Sequence, residues 1–258
     1  MPFAQGIHYS FHQPKEIDPS RPPLILIHGA GGSFLSWHPY LRRLDGETVY
    51  TLDLPGHGES QGEGSSSIQN YAEGVLTFLR QNKIQKPMIV GHSMGSAIAL
   101  TLALDHPEEF SALALLGAGA KLRVSPLILE KAKDPATFAE AVRLINEYSF
   151  HLDTSKDLIR LSTEAMLKLK PQTLLGDLLA CDSFDVTERL STIHLPTLLA
   201  CGMLDVMTPP KFSKTLAEKI SHAQLHLLEK TGHMLMLEQP EAVAKIMKQF
   251  LDGLPPLS

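Results

Sequence analysis

Pro87-Met88-Ile89-Val90-Gly91-His92-Ser93-Met94-Gly95-Ser96-Ala97-Ile98-Ala99-Leu100 is the stretch that decides the fold. An apolar run enters Gly-x-Ser-x-Gly, and an alanine- and leucine-rich segment leaves it, through Leu104. The pattern is strand, tight turn, helix, with Ser93 at the apex: a nucleophile elbow. The flanking glycines let backbones pass closely. A helix N-terminus at the serine presents N–H groups that favour developing negative charge. Spacing alone is weak, because chance supplies about 0.1 match in a chain of this size. Gly58-Glu59-Ser60-Gln61-Gly62 also fits. No strand feeds that second match and no helix leaves it, so Ser60 reads as a loop residue.

Working outward, nearly continuous apolar runs recur at 23–28, 48–54, 87–91, 110–116, 196–202 and 224–229. Such runs are covered on both faces, as parallel strands are. Helical patterns lie between them, at about 34–44, 68–82, 93–105, 210–220 and 240–251. This alternation predicts an α/β fold with a mostly parallel central sheet flanked by helices. Ile7–Phe11 adds short edge strands. The alternation breaks between 121 and 190. There Asp134-Pro135 reads as a helix start, and Phe138, Val142 and Ile145 share one face. Asp153–Lys170 and Pro171–Ala180 read as further helices. The expected division is a core of residues 1–120 and 191–258, with a helical cap at 121–190 inserted after the strand that ends near Gly119. An insertion there sits at the sheet edge where ligands bind and reads as a lid. Its removal, over 125–185, is expected to change substrate preference more than the reactivity of Ser93.

A serine hydroxyl needs a base, and the base needs a group to hold its tautomer. His233, in Thr231-Gly232-His233-Met234, follows the last apolar run and is the expected base. Asp205, in Gly202-Met203-Leu204-Asp205, follows the run before it and is the expected acid. The run ending in Leu116-Gly117-Ala118-Gly119-Ala120 offers no carboxylate as a rival. Glu229 and Glu238 are weaker candidates. Asp53 is expected to be structural. Acyl transfer also needs donors for an oxyanion. His28-Gly29-Ala30-Gly31-Gly32-Ser33 supplies a glycine-rich loop. The backbone N–H groups of Ala30 and Met94 are the expected pair, with Gly31 as fallback. A dinucleotide site would need glycine at position 34, which is phenylalanine, and no phosphate-loop lysine follows.

Composition bounds the rest. The chain has 258 residues, 43% hydrophobic, with a net charge of −5, which draws it to neither nucleic acid nor an anionic membrane. The insertion carries ten Lys and Arg against eleven Asp and Glu, so it is no nucleic-acid arm. No apolar run suggests a membrane span. The first six residues lack the features of a secretory signal, so a cytoplasmic protein is expected. Cys181 and Cys201 read as buried thiols rather than a disulfide. The twelve histidines show no metal-binding pair.

Together, His28–Gly32, Asp53-Leu54-Pro55-Gly56-His57-Gly58-Glu59-Ser60, Gly91–Gly95, Gly202-x-x-Asp205 and Gly232-His233 resemble the α/β-hydrolase superfamily across nearly the whole chain. They look most like its lidded serine esterases. The resemblance implies no cofactor and a helical cap where the insertion lies, and it makes 53–60 a structural loop. A serine at the elbow departs from the haloalkane dehalogenases and epoxide hydrolases, which use aspartate. The elbow, the oxyanion donors and the Ser93–Asp205–His233 set give hydrolysis through an acyl-enzyme, with a carboxylic ester as the default because alcohols leave easily. Methionines near the site suit short to medium acyl chains. A carbon–carbon bond hydrolase of the same fold and a non-enzymatic small-ligand receptor stay open as alternatives. Gly31, Trp37, Met203, Met207 and Met234 are the expected substrate-pocket residues; methionines adapt to several shapes. Oligomeric state stays open.

Overall fold

The computed structural model describes residues 3, 4 and 6–257. Of the chain start read above, Met1, Pro2 and Gln5 lie outside them. Eight strands form one sheet: β1 (Phe3–Ala4), β2 (Ile7–His12), β3 (Leu24–Ile27), β4 (Val49–Leu52), β5 (Met88–His92), β6 (Ala112–Leu116), β7 (Thr197–Gly202) and β8 (Ala223–Leu228). Their order is β1-β2-β4-β3-β5-β6-β7-β8. β1, β2 and β4 pair antiparallel; from β4 onward every pairing is parallel. The parallel strands β3, β5, β6 and β7 are buried at every residue, as their unbroken apolar runs require.

Chain order reverses between β3 and β5. The chain runs from β3 outward to β4, then crosses back to β5 and leaves the other way. A crevice opens at such a switch point, beyond the carboxyl ends of the strands. The glycine loop after β3 and the elbow after β5 flank it.

Ten helices are described: α1 (Pro39–Arg42), α2 (Ile68–Gln81), α3 (Met94–Asp105), α4 (Pro126–Lys133), α5 (Phe138–Ser149), α6 (Lys156–Met166), α7 (Pro171–Ser183), α8 (Pro210–Lys219), α9 (Leu235–Glu238) and α10 (Pro240–Asp252). One core lies on the sheet face covered by α2, α3 and α8. A second lies on the opposite face, under α1 and α10. α3 is buried almost all round, from Met94 to Ala103. That explains why its sequence is apolar without a polar stripe. The inserted helices α4, α5, α6 and α7 have their own core, including Ile128, Phe138, Val142, Ile145 and Leu174.

Two helix expectations shift, both at proline. The segment 34–44 is not one helix. A 3₁₀ turn at Phe34–Ser36 stops, Trp37 and His38 are extended, and α1 begins at Pro39. Proline disfavours a helical residue before it and lacks an N–H to continue the ladder. Asp134-Pro135 ends a helix rather than starting one. Pro135 holds Asp134 extended at the close of α4, and the Asp134 carboxylate accepts from the Ala136 N–H in the turn before α5.

Gly74, inside α2, has open space where a Cβ would stand. Gly74→Ala is therefore expected to stabilise the protein by about 1 kcal/mol, through helix propensity and a less flexible unfolded chain. The melting temperature should rise by about 2–4 °C. A fall on thermal denaturation would refute the open-space reading.

Candidate active site

Ser93 sits at φ 52°, ψ −117°, in the left-handed half of backbone space that a non-glycine residue rarely enters. Close packing around the turn holds it there. A Cβ on Gly91 would overlap the Gly95 carbonyl, and one on Gly95 would overlap the Ile27 carbonyl. The Ser93 N–H donates to Leu116 O of the neighbouring strand at 3.0 Å. The Ser93 side chain has no hydrogen-bond partner among the described residues and lines a cavity. Strain fixed by surrounding contacts is the physical form of an exposed apex.

His233 lines the same cavity. Its Nδ1 lies 2.8 Å from Asp205 Oδ2. Asp205 is buried and also accepts from the Met207 N–H, the Thr208 N–H and Thr208 Oγ1, at 2.8, 2.8 and 2.7 Å. Burial opposes its ionisation. The adjacent His233 and the hydrogen bonds from His233 and Thr208 outweigh burial and hold its pKa below the usual carboxylate value. With Nδ1 donating to the carboxylate, Nε2 is left as the acceptor. The His233 N–H donates to Ser149 O at 2.8 Å, and its carbonyl accepts from His92 Nε2 at 3.0 Å. Burial pushes the His92 pKa down to about 3, so it braces this loop as a neutral ring.

The glycine loop is fixed from beneath. His28 donates from Nδ1 to Gly29 O at 2.8 Å and accepts the Leu54 N–H on Nε2 at 3.1 Å. Burial lowers its pKa to about 3. Asp53 is structural, as expected. Its carboxylate accepts the Phe34 N–H at 2.6 Å and the Glu59 N–H at 3.1 Å, and lies 2.6 Å from His8 Nδ1. Ser60 Oγ donates to Asp53 O and accepts the His8 N–H, which leaves it no place at a reacting centre. Neither the Ala30 nor the Met94 N–H has an acceptor among the described residues. Gly31 does: its N–H donates to Asp177 Oδ2 at 2.8 Å, which removes it as a fallback donor.

The cavity, of about 1200 Å³, is roofed by the inserted helices. Gly31, Met207 and Met234 line it. Trp37 does not. It is fully buried in the core beneath α1 and α10, because the extended segment before Pro39 turns it inward. Met203 is half exposed and also lies outside the cavity. Ile128, Ile145, Asn146, Met166, Leu169 and Leu178 of the insertion supply much of the wall. They carry no motif, and amphipathic spacing alone could not separate cavity-facing from core-facing positions. Thr208, three residues after Asp205, was legible only as a hydroxyl near a candidate acid. Glu238 accepts the Gly232 N–H at 2.9 Å and the His151 N–H at 3.2 Å, a bracing role. Glu229 is solvent-exposed.

Cys181 and Cys201 are free and buried. Burial raises both pKa values, that of Cys201 to about 12. No described helix is long and apolar enough to cross a membrane.

Known proteins agree with this architecture. The chain is 28% identical over 244 residues to a pimeloyl-[acyl-carrier protein] methyl ester esterase of Neisseria meningitidis, covering 89% of this chain and 93% of that one. A solved structure of a thermophilic esterase superposes with a TM-score of 0.81 at 28% identity, over 97% of this chain and 100% of the other. The enol-lactonase of Burkholderia xenovorans LB400 shares the fold, with a TM-score of 0.86 at 21% identity, covering 95% of this chain and 96% of the other. The family model for the alpha/beta hydrolase fold matches residues 22–240, and with the strained serine turn and the switch-point sheet that span carries, the chain belongs to that family.

Proposed function

We propose that this protein is a serine hydrolase that cleaves carboxylic esters of short to medium acyl chains. The observation that carries the reading is the 2.8 Å Asp205–His233 hydrogen bond beside a strained, unpartnered Ser93. His233 Nε2 takes the Ser93 hydroxyl proton as Oγ attacks the ester carbonyl. The Ala30 and Met94 N–H groups receive the oxyanion. The tetrahedral intermediate collapses, the alcohol leaves with the proton from His233, and an acyl group stays on Ser93. Water, deprotonated by His233, then releases the acid. Asp205 holds the ring and stabilises the imidazolium formed in each half-reaction. An apolar wall built from Ile128, Ile145, Met166 and Met234 suits an acyl chain. The insertion at 121–190 acts as a cap over this pocket. Likeness to a pimeloyl-[acyl-carrier protein] methyl ester esterase favours the ester class over a carbon–carbon bond.

The test is hydrolysis of p-nitrophenyl esters from acetate to decanoate, with a phosphonate label located by mass spectrometry. Turnover that peaks at one chain length, with the label on Ser93, supports the reading and sizes the pocket. A labelled Ser93 without ester turnover would replace it with a carbon–carbon hydrolase or a ligand receptor.

A further inference from the structure

Resting on that reading of Ser93, we propose that Asp177, on the inserted helix α7, is a positioning residue that decides which amide of the glycine loop is free to bind the oxyanion. Its carboxylate is fully buried. Oδ2 accepts the Gly31 N–H at 2.8 Å and lies 2.8 Å from His57 Nε2; Oδ1 accepts the Tyr71 hydroxyl at 2.6 Å. Helix packing at this place could be made by an apolar side chain, as Leu174, one turn before, and Leu178, the next residue, make it. A buried charge is costly unless its partners are complete, and one of these partners is the loop beside Ser93.

The loop offers adjacent amides. Gly31 lies at φ 66°, pressed so closely against the insertion that a Cβ would come within 3.0 Å of Leu174 and Met166. Asp177 draws the Gly31 N–H to itself, and Ala30 is left with the unpartnered donor. Without the carboxylate both N–H groups would lack acceptors, and the peptide could rotate to aim either.

A bare carboxylate here would oppose an oxyanion developing nearby. His57 answers that. Its two ring nitrogens face two acceptors, Asp177 Oδ2 at 2.8 Å and Pro55 O at 3.1 Å, an arrangement that favours the protonated ring. Burial works against that charge, but Asp177 and the Pro55 carbonyl outweigh it and raise the pKa. The pair is net neutral. A positive ring beside the carboxylate offsets the charge that would otherwise act on the oxyanion. The insertion also holds the other half of the site, through Ser149 O on the His233 N–H. Removal of 125–185, expected from the sequence to act mainly on substrate preference, should therefore also slow the labelling of Ser93.

The experiment compares wild type, Asp177→Asn and Asp177→Ala in the full chain, with p-nitrophenyl butyrate and a phosphonate label. Asp177→Ala should lower kcat about 10- to 100-fold, as expected for a displaced oxyanion donor. Its KM should change less than about threefold. Asp177→Asn should recover part of kcat, because its amide oxygen can still accept from Gly31. A packing defect alone would lower thermal stability without separating kcat from KM. Amide exchange in the wild type by NMR needs no variant: Gly31 should be protected and Ala30 fast. An unchanged kcat in Asp177→Ala, or protection at Ala30 instead of Gly31, overturns the proposal. If wild type hydrolyses no ester, the esterase reading fails by itself, while labelling rates and exchange still decide the role of Asp177.

Discussion

Ser93→Ala is expected to lower ester turnover by about a million-fold, the loss seen when a serine nucleophile that acts as one unit with its base is removed. The fold should be untouched, for a specific reason. The Ser93 hydroxyl makes no hydrogen bond within the described residues, so its loss leaves no buried group unpaired. Alanine keeps the Cβ already present, and the strain at φ 52° is unchanged. The melting temperature should therefore stay close to that of wild type while kcat collapses. Steady-state kinetics beside thermal denaturation measures both. Residual turnover within a hundredth of wild type would mean that another group attacks the ester. A parallel loss of stability would mean that the hydroxyl has a structural role.

Gly95→Ala is expected to destabilise the protein by about 3 kcal/mol or more, beyond ordinary overpacking, because the clash is with backbone. Its Cβ would overlap Ile27 O and stand 2.7 Å from His28 O. Neither carbonyl can swing aside as a side chain could. Relief requires α3 to move away from the end of β3. That movement separates the glycine loop from the elbow, and with them the Ala30 and Met94 donors. The melting temperature should fall by about 6–12 °C, and kcat should fall with it in whatever protein remains folded. Circular dichroism reads the first and ester hydrolysis the second. A melting temperature unchanged by the substitution would refute the close approach of these two segments. Gly74, in the open, predicts the opposite sign for the same chemical change.

The sequence by itself determined the parallel sheet, the serine at its elbow, and the position of Asp205 and His233 at strand ends. These follow from local rules. A strand covered on both faces must be apolar along its whole length, and a turn that admits no Cβ must carry glycine. Ser60 could be set aside because nothing strand-like precedes it and no helix leaves it; in the structure its hydroxyl is spent on Asp53 and His8. Helix ends at proline were less legible. Pro39 and Pro135 each carry two readings, a first helical residue or a barrier to the helix before it, and packing chose between them.

Only the tertiary structure decided what closes the site. Trp37 and Met203 stood near the candidate catalytic loops in the chain, yet one is turned into the core and the other toward solvent. Met166, Leu178 and Ile145 form the wall from helices whose spacing gave amphipathicity but not its direction. The Gly31–Asp177 bond joins residues 146 positions apart, and that between His57 and Asp177 spans 120. No pattern in neighbouring residues records such a pairing. A carboxylate on a helix is ordinarily solvated. It takes on this role only when three donors from distant segments converge on it in a space that excludes water.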